Sequence, residues 1–270
     1  MEKIENYQGF YWNPKNGEID SHCLEGVGAI INLAGASVFQ PWTEKNKKII
    51  LQSRLDSLKL LYKTLNENEH TVIQLVSASA IGIYPSSYQK MYYEDTSETS
   101  EDFLGQVVQK WEAAAEEFNQ LGLRVAKVRI GLVLANDGGA LPQMSRPLKY
   151  GLGTSLGSGK QWQSWIHIED LARVFLHILE NGLSGPYNAV APNPITHEQL
   201  IEQLADTMGK KVWLPKVPAF ALKTLMGEMS TLVLGSQLVS SDKIEKTGFS
   251  FHYVNLKQAL NNLQHKKTGQ

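Results

Sequence analysis

The sequence predicts an α/β chain: a parallel sheet flanked by helices, followed by a small α-rich C-terminal lobe. Three observations carry this. Thr71-Val72-Ile73-Gln74-Leu75-Val76-Ser77-Ala78-Ser79-Ala80-Ile81-Gly82-Ile83-Tyr84 opens as a β-branched and aliphatic run, the pattern of a strand buried on both faces. Such runs alternate with amphipathic stretches in the order strand, helix, strand, helix, strand, which right-handed βαβ crossovers require. The runs also end in small residues, at Ser77–Gly82 and at Ala34-Gly35-Ala36-Ser37. Open α/β sheets hold their ligands beyond such strand ends, so exposed Ser77 and Ser79 hydroxyls are expected there. A plain Ser/Gly turn is the competing reading.

Taken in order, residues 7–12 read as a short aromatic strand and Asn13–Gly17 as a turn. Val27–Leu33 is a second strand, whose small-residue exit either admits a ligand near the backbone or packs tightly. Thr43 caps a long helix with Ile50, Leu51, Leu55, Leu58, Leu61, Tyr62 and Leu65 on its apolar face. Ser53-Arg54 on that helix faces either a ligand or solvent and a salt-bridge partner. After the strand at 71–84 comes a polar loop, Pro85–Ser100, long enough to suggest a functional or mobile segment. Ser100 starts a helix with Phe103, Val107, Trp111, Ala114 and Phe118 inward, stopped by Gly122.

Arg124–Ile130 is the third buried strand, running into the loop Asn136–Ala140. The glycines at 151, 153, 157 and 159 do not join a strand to a helix, so they form no phosphate-binding turn; a flexible substrate-side loop is expected. Trp162–Phe175 reads as a short strand entering a helix that stops at Asn181-Gly182, with Glu169 and Asp170 complementing the dipole of its first turn. Pro186–Val190 is a strand, and Thr196-His-Glu-Gln199 a capping box. Lys211–Leu214, a helix over Pro218–Leu234, Gly248–Phe251 and a helix over Leu256–Leu263 complete the lobe. The expected domains are residues 1–150 with 162–190, then 191–266, with 267–270 as a tail.

Composition narrows the function classes. The chain has 270 residues, 42% hydrophobic and 20% charged, and a formal net charge of −1, which gives no field for nucleic acid or a membrane surface. Its single cysteine, Cys23, excludes an intramolecular disulfide and suits a reducing cytoplasm. The seven histidines fall into no metal-ligand spacing, so no metal is expected. No apolar run reaches the roughly 18 residues that a membrane span needs.

Motifs spread along the chain carry a resemblance. Ile31-Asn-Leu-Ala-Gly35, Ser77-Ala-Ser-Ala-Ile-Gly-Ile-Tyr84, Arg129-Ile-Gly-Leu-Val-Leu134 and Ser164-Trp-Ile-His-Ile-Glu-Asp-Leu-Ala172 resemble the extended short-chain dehydrogenase/reductase superfamily. Trp12-Asn13-Pro14, Trp111-Glu112, Gly138–Leu141, Gly157–Trp162, Ala191–Pro194 and Gly248–Phe251 are similar to its atypical branch. That branch is nucleotide-sugar epimerase-like or cell-division-inhibitor-like, ending in a domain of unknown function. The resemblance implies a Rossmann-like fold and a nicotinamide dinucleotide, usually NADP, with a small-molecule substrate and a possible homodimer. It places Leu33, Ala34, Gly35, Ser77, Ala78, Arg129, Ile130 and Gly131 at the cofactor, Ser79 as the catalytic hydroxyl, and Tyr84, Gln161, Trp162 and Trp165 at the substrate. His167 is expected to serve the backbone at a helix start.

Two departures qualify those implications. No glycine-rich strand-to-helix turn precedes residue 71, where the superfamily binds the pyrophosphate. Residues 7–12 match its third strand, so the chain is expected to be N-terminally truncated, with the strand at 27–33 left at an unpaired edge. The Tyr-x-x-x-Lys pair is also missing, since the matching helix reads Gly105-Gln-Val-Val-Gln-Lys-Trp-Glu-Ala113. Three readings stand: an NADP-dependent oxidoreductase or epimerase-like enzyme, a non-catalytic dinucleotide-binding or regulatory protein, and an inactive fragment without the pyrophosphate loop.

Overall fold

The computed structural model describes residues 9–268. In chain order the N-terminal part contains β1 (Trp12–Asn13), β2 (Glu18–Ile19), β3 (Ala29–Asn32), α1 (Glu44–Glu67), β4 (Gln74–Ala80), β5 (Met91–Tyr92), α2 (Phe103–Glu116) and β6 (Arg124–Ile130). It continues through β7 (Leu132–Leu134), α3 (Ala140–Lys149), β8 (Trp162–Gln163), β9 (Trp165–His167), α4 (Ile168–Glu180) and β10 (Gly185–Ala189). The C-terminal lobe holds β11 (Ile195–Thr196), α5 (His197–Thr207), α6 (Ala219–Met226), α7 (Thr231–Leu234), β12 (Leu238–Val239), α8 (Asp242–Glu245) and α9 (Leu256–Thr268).

The central sheet has the order β10-β6-β4-β3, every pair parallel. The inner strands β4 and β6 are buried on both faces because helices cover both. Alternation sends Leu75, Ser77 and Ser79 one way and Gln74, Val76 and Ala78 the other. Ser79 meets α2 through Glu112, whereas Gln74 donates to the backbone oxygens of Ile178 and Leu183 at the end of α4. Leu58 and Leu65 of α1, Trp111 of α2, Val174 and Ile178 of α4 and the strand residues form one buried core. This is the expected Rossmann-like parallel sheet between helices. Among the described residues β3 pairs only with β4, and Ile31 and Leu33 beside that edge are exposed.

The capping signals hold. The Thr43 side chain accepts from the Asn46 N–H, Thr196 and Gln199 form a reciprocal capping box, and Gly122 ends its helix at φ 76°. Other expectations are corrected. The strand read over 7–12 reduces to β1, which turns back on β2 as an antiparallel hairpin outside the main sheet; residues 7 and 8 lie outside the described residues. Asp102, not Ser100, caps α2 by accepting from the Gly105 N–H. The helix expected over Pro218–Leu234 breaks at Gly227, φ 56°, into α6, a 3-10 turn and α7. The last helix runs to Thr268 rather than Leu263. Ser77 and Ser79 are buried, not exposed, because α2 and the lobe close over the strand ends.

Two short pairings fasten the lobe across those ends: β12 beside β5, and β11 beside β8. Asp170, fully buried in the first turn of α4, accepts from the backbone N–H groups of His252 and Tyr253 at 2.9 and 2.8 Å. No helix among the described residues is long and apolar enough to cross a membrane.

Candidate functional site

Ser79 of β4 and Arg129 of β6 are register partners, and Arg129 is in turn the partner of Asn188 on β10. Parallel register puts all three side chains on the face that α2 covers. Four residues of α2 rise about 6 Å, close to two residues of strand. Glu112 and Glu116 therefore stand over Arg129 and Lys127 in turn, and each makes an ion pair with the cation beneath it. Glu112 is buried and holds Arg129 through both oxygens, at 2.8 Å to Nε and 2.9 Å to Nη2. The Ser79 hydroxyl donates to the same carboxylate at 2.6 Å.

The network continues inward. Arg129 Nη1 donates to the Tyr84 hydroxyl, which donates to Asn188 Oδ1, both at 2.8 Å, and the Asn188 N–H donates to Glu94 Oε1. Burial works against the Arg129 charge, but hydrogen bonding and attraction from Glu112 outweigh it and raise the pKa. Burial pushes the Tyr84 phenol up to about 12, so it remains a neutral donor.

Above Ser79 lies a cleft of about 630 Å³. Its floor is Ala78, Ser79 and Ala80 with Ile130, Gly131 and Leu132, at the C-terminal ends of β4 and β6. Leu33 and Val38 enter from the loop after β3, and Arg54 from α1. Asp102, Leu104, Val107, Val108 and Trp111 come from α2, and Trp162, Gln163 and Ser164 from β8 and its exit. The lobe closes it with Lys223, Ser230, Thr231, Leu232, Leu234 and Gln237. The loop wall is pinned by α1: Ser53 Oγ accepts from the Ala36 N–H at 2.9 Å, and Arg54 Nη1 donates to Ala36 O at 3.1 Å and Ile50 O at 2.8 Å.

Of the residues singled out in the sequence, Leu33, Ala78, Ser79, Ile130, Gly131 and Trp162 meet in this cleft. Ala34 and Gly35 adjoin it on the pinned loop, where the Ala34 N–H donates to Asn32 Oδ1. Arg129 lies beneath the floor, tied to Glu112. Four others point elsewhere. Ser77 donates to Ala78 O, and Tyr84 is spent in the network. Gln161 is fully buried, its amide given to Leu156 O and Val233 O. Trp165 is fully buried with its indole N–H on Asn193 O. These geometries suit packing, because no face of these side chains is left for a ligand. His167 caps α4, its Nδ1 accepting from the Glu169 N–H at 3.1 Å, and stacks on Tyr253. Sequence reasoning missed Asp102 and Lys223, and it quoted Glu112 only as a matching motif.

Ala78, Ile130 and Gly131 line the floor beside the Ser79 hydroxyl, small and apolar groups of the kind that suit the nicotinamide half of a dinucleotide. For the pyrophosphate half, no glycine-rich strand-to-helix turn stands beside β3 among the described residues. No cluster of three His, Cys, Asp or Glu side chains suited to a metal ion occurs among the described residues.

Comparison with known proteins adds the following. The profile of the NAD dependent epimerase/dehydratase family matches residues 15–190, and that of a domain of unknown function, DUF1731, matches residues 217–263. Epimerase family protein SAR0825 of Staphylococcus aureus is 40% identical over 242 residues, 88% of this chain and 80% of its own length. Epimerase family protein YfhF of Bacillus subtilis is 39% identical over 241 residues, 89% of this chain and 79% of its own. Among solved structures, the human epimerase family protein SDR39U1 (isoform 2), crystallised with NADPH, superposes with a TM-score of 0.82 at 30% identity. That match covers 90% of this chain and 83% of the human one.

Proposed function

The chain belongs to the NAD dependent epimerase/dehydratase family, and from that premise we propose that it is an NADP-dependent oxidoreductase or epimerase-like enzyme whose small-molecule substrate binds over Ser79. The observation that carries this is the Ser79 hydroxyl at the floor of an apolar cleft, held at 2.6 Å by a buried carboxylate. NADPH in the human relative supports the choice of NADP. Leu33, Ala34, Gly35, Ala78, Ile130 and Gly131 would border the nicotinamide, which, when bound, supplies or accepts a hydride.

The hydrogen-bond direction decides what Ser79 can do. Its proton points to Glu112, so the oxygen offers lone pairs to the cleft. Ser79 is thus set to accept a hydrogen bond from a substrate alcohol and to orient that oxygen. Donating to a substrate carbonyl requires breaking a charge-assisted bond, which is among the stronger kinds. The apolar walls of Leu104, Val107, Val108 and Trp111 exclude water and strengthen the polar contacts that remain. These same α2 positions carry no Tyr or Lys, so proton transfer is not assigned to that helix. The lone Cys23 supports a reducing, cytoplasmic setting.

The missing acid/base pair favours a second reading, a non-catalytic dinucleotide-binding or regulatory protein. One experiment separates the two. NADPH titrated into the protein should show saturable, shifted nicotinamide fluorescence, and a panel of secondary alcohols and ketones should then reveal turnover. Ser79→Ala should cut that turnover at least about 100-fold, the range for losing one preorganised polar contact. Binding without turnover leaves the regulatory reading; no saturable binding removes both.

A further inference from the structure

The loops that follow α3 and α5 run side by side on the surface. Thr154 Oγ1 donates to the carbonyls of Leu214 and Pro215 at 3.1 and 2.9 Å, and the Val217 N–H donates to Ser155 O at 3.0 Å. The first loop is also fixed at its root, where the Gly151 and Leu152 N–H groups return to Leu148 O and Pro147 O at 3.0 and 2.9 Å. On this ordered pair stand three large apolar side chains that the fold does not bury. Tyr150 is 74% exposed, Leu152 62% and Trp213 70%. The Trp213 indole lies against Gly151, the residue between the other two, with its Nε1 4.0 Å from where a Cβ would stand. An aromatic side chain carries roughly 150–250 Å² of surface, so the three together show about 300 Å², the size at which an exposed apolar patch marks an interaction site.

Cations flank the patch. Arg146 and Lys149 lie in the last turn of α3, and Lys210 and Lys211 just beyond α5. All four are exposed, and none makes an ion pair among the described residues. Lys149 and Lys210 line one groove, which brings the two pairs together. Of the three carboxylates in the adjoining pocket, Glu198 holds Lys216 at 2.7 Å and Asp206 holds Lys257 at 2.9 Å, which leaves Glu202. The C-terminal ends of α3 and α5 favour cations, which accounts for the charges but not for the bare rings among them.

We propose that this tip docks the protein on an anionic lipid bilayer, with Trp213, Tyr150 and Leu152 entering the headgroup layer and the four cations facing its acidic groups. Tryptophan and tyrosine join an apolar ring to a polar edge and settle at headgroup level. Each Lys or Arg close to an acidic leaflet adds attraction. The shape suits a bilayer too. Side chains that protrude from loops can enter a fluid layer, whereas a protein partner must supply a matching groove. The formal net charge of −1 is an average over the chain and does not describe this tip. The contact is peripheral, with no element spanning the bilayer, and it is independent of the cleft over Ser79.

The test mixes the full chain with vesicles of phosphatidylcholine alone, or of an equal mixture with phosphatidylglycerol, and pellets them. Wild type should bind the mixed vesicles at least about tenfold more tightly than the neutral ones, and added salt should release it. Trp213→Ser and the double variant Lys210→Gln, Lys211→Gln should each weaken that binding at least about tenfold. Wild-type tryptophan emission should move to the blue on the mixed vesicles, and the shift should vanish in Trp213→Ser. A urea midpoint equal to that of wild type shows that a variant keeps its fold; should Trp213→Ser lower it, Tyr150→Ser supplies the apolar arm. Absence of binding to the mixed vesicles overturns the proposal, as does equal binding by wild type and both variants. Binding that the lysine pair weakens and the apolar variant leaves unchanged overturns it as well. A matching affinity for heparin would then assign the cations to a soluble polyanion.

Discussion

At the scale of single residues, the site depends on Glu112. One carboxylate neutralises a buried guanidinium and accepts the Ser79 hydrogen bond, so the charge pair and the candidate catalytic hydroxyl share an anchor. Glu112→Gln keeps the shape but leaves Arg129 buried without a counter-charge. Removing one partner of such a pair typically costs about 3–5 kcal/mol. Ser79→Ala removes a single hydrogen bond to a carboxylate that keeps two others, so its cost should fall below about 2 kcal/mol. Urea unfolding of the two variants checks the order, and Ser79→Ala proving the more destabilising would mean Glu112 is not the anchor. The sequence could quote Trp111-Glu112 but not its role. A glutamate beside an inward tryptophan reads equally well as a solvated neighbour, and only the strand register beneath it reveals the partner.

At the scale of elements, β6 must pass into β7 without a gap, and Gly131 makes that possible. A Cβ there would stand 2.3 Å from Ser164 O and 2.7 Å from a Val190 methyl carbon. Ser164 O cannot retreat, because it also accepts from the Leu132 N–H at 2.8 Å. Gly131→Ala should therefore destabilise by about 1–3 kcal/mol through overpacking, measured as a lower urea midpoint with unchanged slope. An unchanged midpoint would mean the strand junction can flex. The resemblance assigns Gly131 to a cofactor, yet its packing role alone accounts for the glycine. Elements with strong local signals were legible: the buried runs of β4, β6 and β10, and the caps at Thr43 and Thr196. Helix α3 was not, because Pro142 and Pro147 interrupt the residue types that mark a helix. Two-residue strands such as β5 and β12 carry no periodicity, so the clamp they make between lobe and sheet has no sequence signature.

At the scale of the whole molecule, the fold was legible because alternating buried strands and amphipathic helices admit few topologies, whereas the cleft is assembled from segments as distant as Leu33 and Gln237. The join between sheet and lobe also contains a titratable weak point, His197. It is buried at the start of α5, its backbone N–H donates to Gln161 O, and its Nε2 has no hydrogen-bond partner among the described residues. Burial lowers its pKa from the ordinary 6.5 to about 4. Between those values the unfolded chain binds a proton that the folded chain refuses, so folding stability is complete above about pH 6.5 and declines as the pH falls toward 4. The loss across that window is on the order of 3 kcal/mol from this group. Wild type and His197→Leu should therefore be unfolded in urea at about pH 7, 5.5 and 4.5, one value above the window and two within it. Other groups titrate in both proteins, so the quantity of interest is their difference, which should shift in favour of His197→Leu as the solution is acidified. A difference independent of pH would mean that His197 is protonated within the fold and that the lobe's junction is open to water. The expected shift would instead make acid-induced loosening of the lobe, and with it of the cleft's roof, a consequence of one unpartnered imidazole.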